Sequence, residues 1–460
     1  MPAPAERRAA GKAARAHAPL EGHADVGPEA GRDPVGLLLG QAATRVPELV
    51  PIRHGRMLAS PFTFFRGAAL PMAADLGRTV TSGLRVQLCG DAHLSNFGVF
   101  ASPDRRLVFD LNDFDETLPG PFEWDVKRFA ASLAVAGRDV GLSAKDRRAF
   151  TLAGVASYRT SMARFAEMTT LEVWYARLDI EEALDGLADK VGAKGVTRTR
   201  KALAKARTRD SMQAVAKLTE VVEGRRRILS QPPLVVPITE LGGDVRPEDL
   251  YRFLETVVDR YSQTLSADRR HLVEQFHLVD VARKVVGVGS VGTRAWILLL
   301  EADGGSQPLF LQAKEAQRSV LADYCGDSLT GHEGERVVAG QHLMQAASDI
   351  FLGWQRIEGV DGIQRDFFVR QLRDWKYSAP IEQMLPAGLR SYAELCGWTL
   401  ARAHARSGDR FAIAGYLGRS DRFDRAVLDF AEAYADRTER DHAALAAAVE
   451  EGLVDAVLDV

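Results

Sequence analysis

One stretch limits the fold more than any other: "VVGVGSVGTRAWILLLEADGGSQPLFLQAKEA", residues 285–316. Gly287, Gly289 and Gly292 spell G-x-G-x-x-G, a spacing that arises easily in a chain with 40 glycines. The element type directly after the glycines separates the folds. A dinucleotide-binding unit needs a helix there, so that a pyrophosphate meets the helix N-terminus. Here the apolar run 295–300 comes next, then the turn "ADGG", then the alternating "LFLQAK". The pattern predicts strand, glycine loop, strand, turn, strand. In the last strand Phe310, Gln312 and Lys314 share one face, and Leu309, Leu311 and Ala313 the other.

A glycine loop between antiparallel strands is how protein-kinase folds cover nucleotide phosphates, with a lysine on the next strand reaching the α- and β-phosphates. Lys314 stands where that lysine would; the plainer role for it is an edge-strand charge that discourages aggregation. A kinase-like lysine is held by a glutamate of the following helix. The segment "GHEGERVVAGQHLMQAASD" (331–349) offers Glu335, with Glu333 as the alternative. "DFFVRQLRDWK" (366–376) then reads as a hinge strand beside a nucleotide base.

A second cluster lies far upstream. "CGDAHLSNFGVF" (89–100) carries Asp91, His93 and Asn96, and "LVFDLNDFDE" (107–116) adds Asp110, Asp113 and Asp115. Asp91 and Asn96 have the separation of the aspartate and asparagine in H-R-D-x-x-x-x-N. In that arrangement the aspartate orients the attacking hydroxyl and the asparagine binds magnesium, while an aspartate after a short hairpin chelates the metal that bridges the phosphates. Asp113, at a strand end before Phe114, is favoured for the last role; Asp110 lies closer to the usual separation from the asparagine and stays open.

These two stretches, with "NDFDETLPGPFEWDVKRFAASL", resemble the G-D-x-H-x-x-N and D-F-D-D patterns of aminoglycoside and choline phosphotransferases, which share the protein-kinase fold. The resemblance implies that Asp91 is catalytic, Asn96 and Asp113 are metal ligands, Asp125 is a buried support of the loop, and His93 is the motif histidine. Cys89 departs from the pattern, since relatives carry histidine before Gly-Asp. From about residue 45 onward the chain also resembles an uncharacterised bacterial family, domain of unknown function 2252, grouped with the kinase-like superfamily.

The order of the parts is inverted. Kinases place the glycine loop and lysine before the catalytic loop, whereas here Lys314 comes after Asp91. "YAELCGWTLARAHARSGD" (392–409) resembles the helix that ordinarily precedes the catalytic loop, yet it stands near the end of the chain. The expectation is an α+β, two-lobed kinase-like fold, circularly permuted, with helix 392–406 packed on the loop 88–97. Permutation is physically open to domains whose termini meet at the surface. The expected division is a disordered arm at 1–34, catalytic and metal loops at 35–140, and a helical part of the same lobe at 141–245. A β-rich nucleotide lobe is expected at 246–380 and a helical return at 381–460.

The expected function is an ATP- and Mg2+-dependent phosphotransferase acting on a hydroxyl acceptor. Non-catalytic nucleotide binding and AMP transfer from the same site are the alternatives. A metallohydrolase built on His93 and Asp91 lacks a second histidine at ligand spacing. Arg66 in "FFRGAA" reads as the partner of a core carboxylate, with phosphate contact as its other reading, and the basic segment 190–229 as a solvated helix face. A net charge of −3 gives no drive toward nucleic acid or anionic membranes. Three cysteines are too few for a disulfide framework, and the apolar runs are too short to span a bilayer, so the cytoplasm is the expected location.

Overall fold

Continuous apolar runs at 295–300 and 309–311 put apolar side chains on both faces of a sheet, and both faces are covered. The computed structural model describes residues 2–458 apart from 209–210, 242–246, 286, 303, 305–306, 360–361 and 373–374. In it, strands His277–Lys284, Ala295–Ala302 and Gln307–Ala316 are antiparallel neighbours. Val235–Pro237 joins one edge of this sheet; Gln364–Gln371 and then Gly353–Glu358 complete the other, making six strands. Leu298, Leu300, Leu309 and Leu311 pack with Tyr261 from helix Pro247–Ser262. Ile297, Leu299 and Phe310 pack on the opposite face with Ala214 and Val215 from helix Ser211–Leu218. Each such side chain, fully buried, contributes about 1.5–3 kcal/mol.

The larger core gathers around helix Phe122–Asp139, which is buried along nearly its whole length. A helix enclosed on every side belongs at the centre of a large domain. Its buried charged residues are therefore conspicuous, and each has a partner: Glu123 accepts from Ser82 Oγ at 3.0 Å, and Lys127 Nζ lies 4.5 Å from the centre of the Phe430 ring. Asp125 and Arg128 support the loop that carries Asp91. Around this helix pack Ala144–Phe165, Pro386–Ser407 and Arg422–Glu450. The chain is thus mixed α+β, with one sheet-centred and one helix-centred part. Among the described residues no helix is long and apolar enough to cross a membrane.

Helix Pro386–Ser407 does lie on the loop from the early part of the chain. Tyr392 Oη donates to the Phe97 carbonyl at 3.0 Å, and Ser407 Oγ accepts from the Gln87 N–H at 3.2 Å. Three expectations are corrected. The arm is ordered: helix Pro4–Ala13 docks on Arg410–Leu417 with Gly11 against the Ala412 backbone, and Ala18, Leu20 and His23 are buried. Small residues allow that close approach, so low apolar content did not mean disorder. The helical part does not run to 245, because Thr219–Val222 and Arg225–Ile228 form a hairpin and Ile228 packs into the sheet core. The strand expected as a hinge, 366–376, ends at Gln371; residues 373–374 of that segment lie outside those described, and Tyr377 pairs with Val99 through reciprocal 2.9 Å bonds.

Candidate functional site

Strand Arg85–Leu88 runs into a tight turn at Cys89, Gly90 and Asp91. Gly90 has φ +84°, and a Cβ there would stand 2.3 Å from the Glu116 carbonyl oxygen. Only glycine lets this turn touch the acidic segment. Asp125 accepts from the N–H groups of Cys89 and Gly90 at 2.8 and 3.1 Å. His404 Nε2 lies 3.2 Å from the same carboxylate, and its Nδ1 is 2.8 Å from Tyr158 Oη. The loop is supported by two helices distant in sequence, and Cys89 is simply buried beneath it.

Asp91 reaches a cavity of about 990 Å3 between the two parts of the molecule. Its Oδ1 accepts from Arg128 Nε at 2.9 Å; Arg128 in turn donates to the Phe65 carbonyl at 2.6 Å and stacks over the Phe65 ring at 3.8 Å. The other carboxylate oxygen faces His93 Nε2 at 3.7 Å. Burial, opposed by the Asp91 charge and aided by Arg66 and Arg128, lowers His93 to about 4, so the ring is neutral near pH 7.

Asn96 is not free to hold a cation. Its Nδ2 donates to the carbonyls of Asp91 and Asp113 at 3.0 and 2.9 Å, and its Oδ1 accepts from the Asn112 and Asp113 N–H groups. Both lone pairs are used, and the residue is 2% exposed. Asn96 ties the Asp91 loop to the acidic segment, which corrects its expected role as a ligand. Asp110 is corrected as well. It points into the core, pairs with Arg402, and accepts from the N–H groups of Leu111 and Ala346 at 2.9 and 3.1 Å. Burial pushes its carboxyl up, against the Arg402 charge.

Asp113 and Asp115 do face the cavity. Lys314, from the central strand Gln307–Ala316, places Nζ 2.7 Å from Asp115 Oδ2 and 4.0 Å from Asp113 Oδ2. Ser290, in the short turn Val288–Ser290 between Gly287 and Gly292, donates from Oγ to Asp115 Oδ2 at 3.1 Å. Gly289 and Ser290 line the cavity, and Gly292, at φ +90°, backs onto Arg45 and accepts from the Val46 N–H at 2.7 Å. Burial opposes ionisation at Asp113, but Lys314 and Arg370 outweigh it and hold the carboxyl below its usual range. At Asp115, burial and then the Asp113 charge push the carboxyl up. The two titrate as a pair around one ammonium.

The helix Glu333–Met344 does not supply the expected glutamate. Lys314 is taken by the aspartates, while Glu335 sits in the first turn with its N–H 3.3 Å from His332 Nδ1. The side chain that reaches the site is Arg336, which donates to the carbonyls of Asp115, Thr117 and Gln317 at 2.9, 2.7 and 2.8 Å. Arg128 and Arg336 were both missed. The available signal was a charge inside an otherwise buried helix pattern.

The oxygen set suits a hard cation. Asp113 is 45% exposed toward the cavity, and Asp115 Oδ1 is a buried acceptor with no hydrogen-bond partner among the described residues. Magnesium with a nucleotide ordinarily takes one or two carboxylates, its other ligands being phosphate oxygens and water. Among the described residues no group of three or more His, Cys, Asp or Glu is arranged to hold a metal on protein ligands alone. A smaller adjoining cavity of about 120 Å3 is lined by Asn112, Gln371, Arg370 and Lys376. Arg370, then burial, brings Lys376 down to about 7.

In comparison with known proteins, the family model described as "Uncharacterized protein conserved in bacteria (DUF2252)" matches residues 45–448. No curated protein and no solved structure matches the chain.

Proposed function

This chain belongs to the bacterial DUF2252 family, and from that premise we propose that it is a phosphotransferase of circularly permuted, protein-kinase-like fold, using ATP and Mg2+ to phosphorylate a hydroxyl. The observation that carries the reading is the convergence on one cavity of Asp91, the Asp113–Asp115 pair and Ser290 of the glycine loop, with Lys314 bound to that pair. Helix Pro386–Ser407, whose Tyr392 hydroxyl meets the Leu94 and Phe97 carbonyls, supports the permuted order.

In this reading Asp91 positions the acceptor hydroxyl and receives its proton on the oxygen that Arg128 leaves open. Asp113, kept ionised, and Asp115 hold the cation; Lys314, already at the end of its strand, neutralises phosphate charge. The cation, when bound, offsets charge on the transferring group. Phosphoryl transfer asks mainly for positioning and charge neutralisation, which a rigid loop supported by Asp125 and Asn96 can provide.

AMP transfer is the second reading. Its support is the pair Arg370 and Lys376, which line a second cavity together with Asn112, the chain neighbour of Asp113. The test is incubation with ATP and Mg2+ against an acceptor library, read by product mass, with Asp91→Asn as control. Phosphate addition lost in Asp91→Asn is expected; AMP addition moves the assignment to the second reading. ATP and Mg2+ at 100 times the dissociation constant should stabilise the fold by about 2.7 kcal/mol. Absence of any nucleotide-induced shift overturns both readings.

A further inference from the structure

The large cavity is lined by three arginines, Arg45, Arg53 and Arg66, that have no carboxylate at ion-pair distance among the described residues. Arg45 is 6% exposed and Arg53 is fully buried. Arg53 Nη2 donates to Gln41 Oε1 and the Gly67 carbonyl, both at 2.8 Å, while its Nε and Nη1 have no partner among the described residues. Arg45 donates to the Val291 carbonyl and leaves Nε unpartnered. Arg66 forms no hydrogen bond or ion pair among the described residues, and its Nε is buried. The expectation that Arg66 serves a core carboxylate is therefore corrected.

The other arginines of the cavity are matched. Arg294 pairs with Glu315 at 3.2 Å, Arg356 with Asp366, and Arg318 with Asp323 and Asp327. Buried charges are ordinarily paired, because removing an ion from water is costly unless an opposite charge replaces the lost hydration. Burial lowers all three guanidiniums, Arg45 to about 10 against the more distant charges of Glu116, Asp115 and Glu315, and the Arg45 charge depresses Arg53 further. Arg45, Arg53 and Arg66 line the same cavity as Asp91 and Asp113, and Arg66 feels the charges of Asp91, Glu382 and Asp113. One carboxylate would answer one guanidinium fork; three forks call for a dianion with several acceptor oxygens.

Resting on the phosphotransfer reading, we infer that the acceptor is a small hydroxylated phosphomonoester whose phosphate docks against Arg45, Arg53 and Arg66 while its hydroxyl meets Asp91. In the transfer the hydroxyl oxygen bonds to the γ-phosphorus. The bond from that phosphorus to the β,γ-bridging oxygen breaks, ADP leaves with the electron pair, and the hydroxyl proton passes to Asp91. The product carries two phosphates.

Inorganic phosphate, titrated calorimetrically into the full chain without nucleotide, tests these arginines directly, and ATP with Mg2+ is titrated separately. The wild type should bind phosphate saturably. Arg66→Gln should weaken it by about 10-fold or more, the scale of one charge-assisted bond, with Arg66→Lys recovering part of the loss. Arg318→Gln, the same charge change at an already paired arginine, should leave phosphate affinity unaltered, and ATP affinity should survive Arg66→Gln. No saturable phosphate binding, equal binding by Arg66→Gln, or a parallel loss of ATP affinity overturns the inference. If phosphate binding depends on Arg66 but ATP never binds, the oxyanion site stands and the phosphotransfer reading falls.

Discussion

Lys314 Nζ lies 2.7 Å from Asp115 Oδ2, an ion pair between residues 199 positions apart in sequence. It joins the central strand of the six-stranded sheet to the acidic segment beside the Asp91 loop. With Asp113 at 4.0 Å, the ammonium answers two carboxylates at once.

Lys314→Met removes that answer and leaves Asp113 and Asp115 facing each other. Stability should fall by about 1–3 kcal/mol, less than for a fully dry pair because both carboxylates are partly exposed. Urea unfolding measures the loss, and nucleotide titration should show weakened ATP binding. An unchanged midpoint with unchanged ATP affinity would falsify the clamp.

The three acidic-loop residues expected to share one task should separate by mutation. Asp110 answers the buried Arg402, so Asp110→Asn should cost about 3–5 kcal/mol of stability and leave Mg2+ dependence intact in the folded fraction. Asn96→Ala, which takes the side-chain partner from the Asp113 carbonyl and N–H while Asp91 and Asn112 keep their backbone bonds, should destabilise by about 1–3 kcal/mol. Asp113→Asn should leave the unfolding midpoint nearly in place and abolish the Mg2+ requirement for nucleotide binding. The reverse ranking of Asp110 and Asp113 would restore Asp110 as the ligand.

His23 makes the docked N-terminal segment pH-sensitive. Its ring is buried, with Nε2 2.6 Å from Tyr416 Oη, and burial, then the Lys127 charge, lowers it to about 3. A histidine depressed in the folded state is protonated first in the unfolded chain. Stability from this group is complete above about pH 6.5 and declines by about 1.4 kcal/mol per unit as pH falls toward 3. His23→Gln should flatten that part of the stability–pH curve; an unaltered slope assigns the acid sensitivity elsewhere.

Gly11 tests the docking itself. A Cβ there would stand 1.9 Å from the Ala412 carbonyl oxygen. Gly11→Val should release helix Pro4–Ala13 and open Arg7, Arg8 and Lys12 to trypsin while the remaining chain stays resistant. Protection equal to the wild type would mean that the helix is held by contacts other than this crossing.

Local pattern was enough for the sheet and the turns. The β-rich run 279–316 specified three strands, and alternation in "LFLQAK" the face of Lys314, because side-chain direction in a strand depends only on position. The acids of 89–116 announced a polar site because carboxylates at that density need shared cations. Which carboxylate meets which cation was not local. Asp110 and Asp113 are three residues apart, yet one enters the core toward Arg402 and the other the cavity toward Lys314, as strand pairing and the packing of helix Pro386–Ser407 dictate. Likewise Arg336 rather than Glu335 reaches the site, since the turn of one helix against the acidic segment selects the face. Sequence determined the element types and the inventory of charges. Tertiary structure alone decided their pairing and left Arg45, Arg53 and Arg66 unmatched, because burial and partner choice depend on segments hundreds of residues apart.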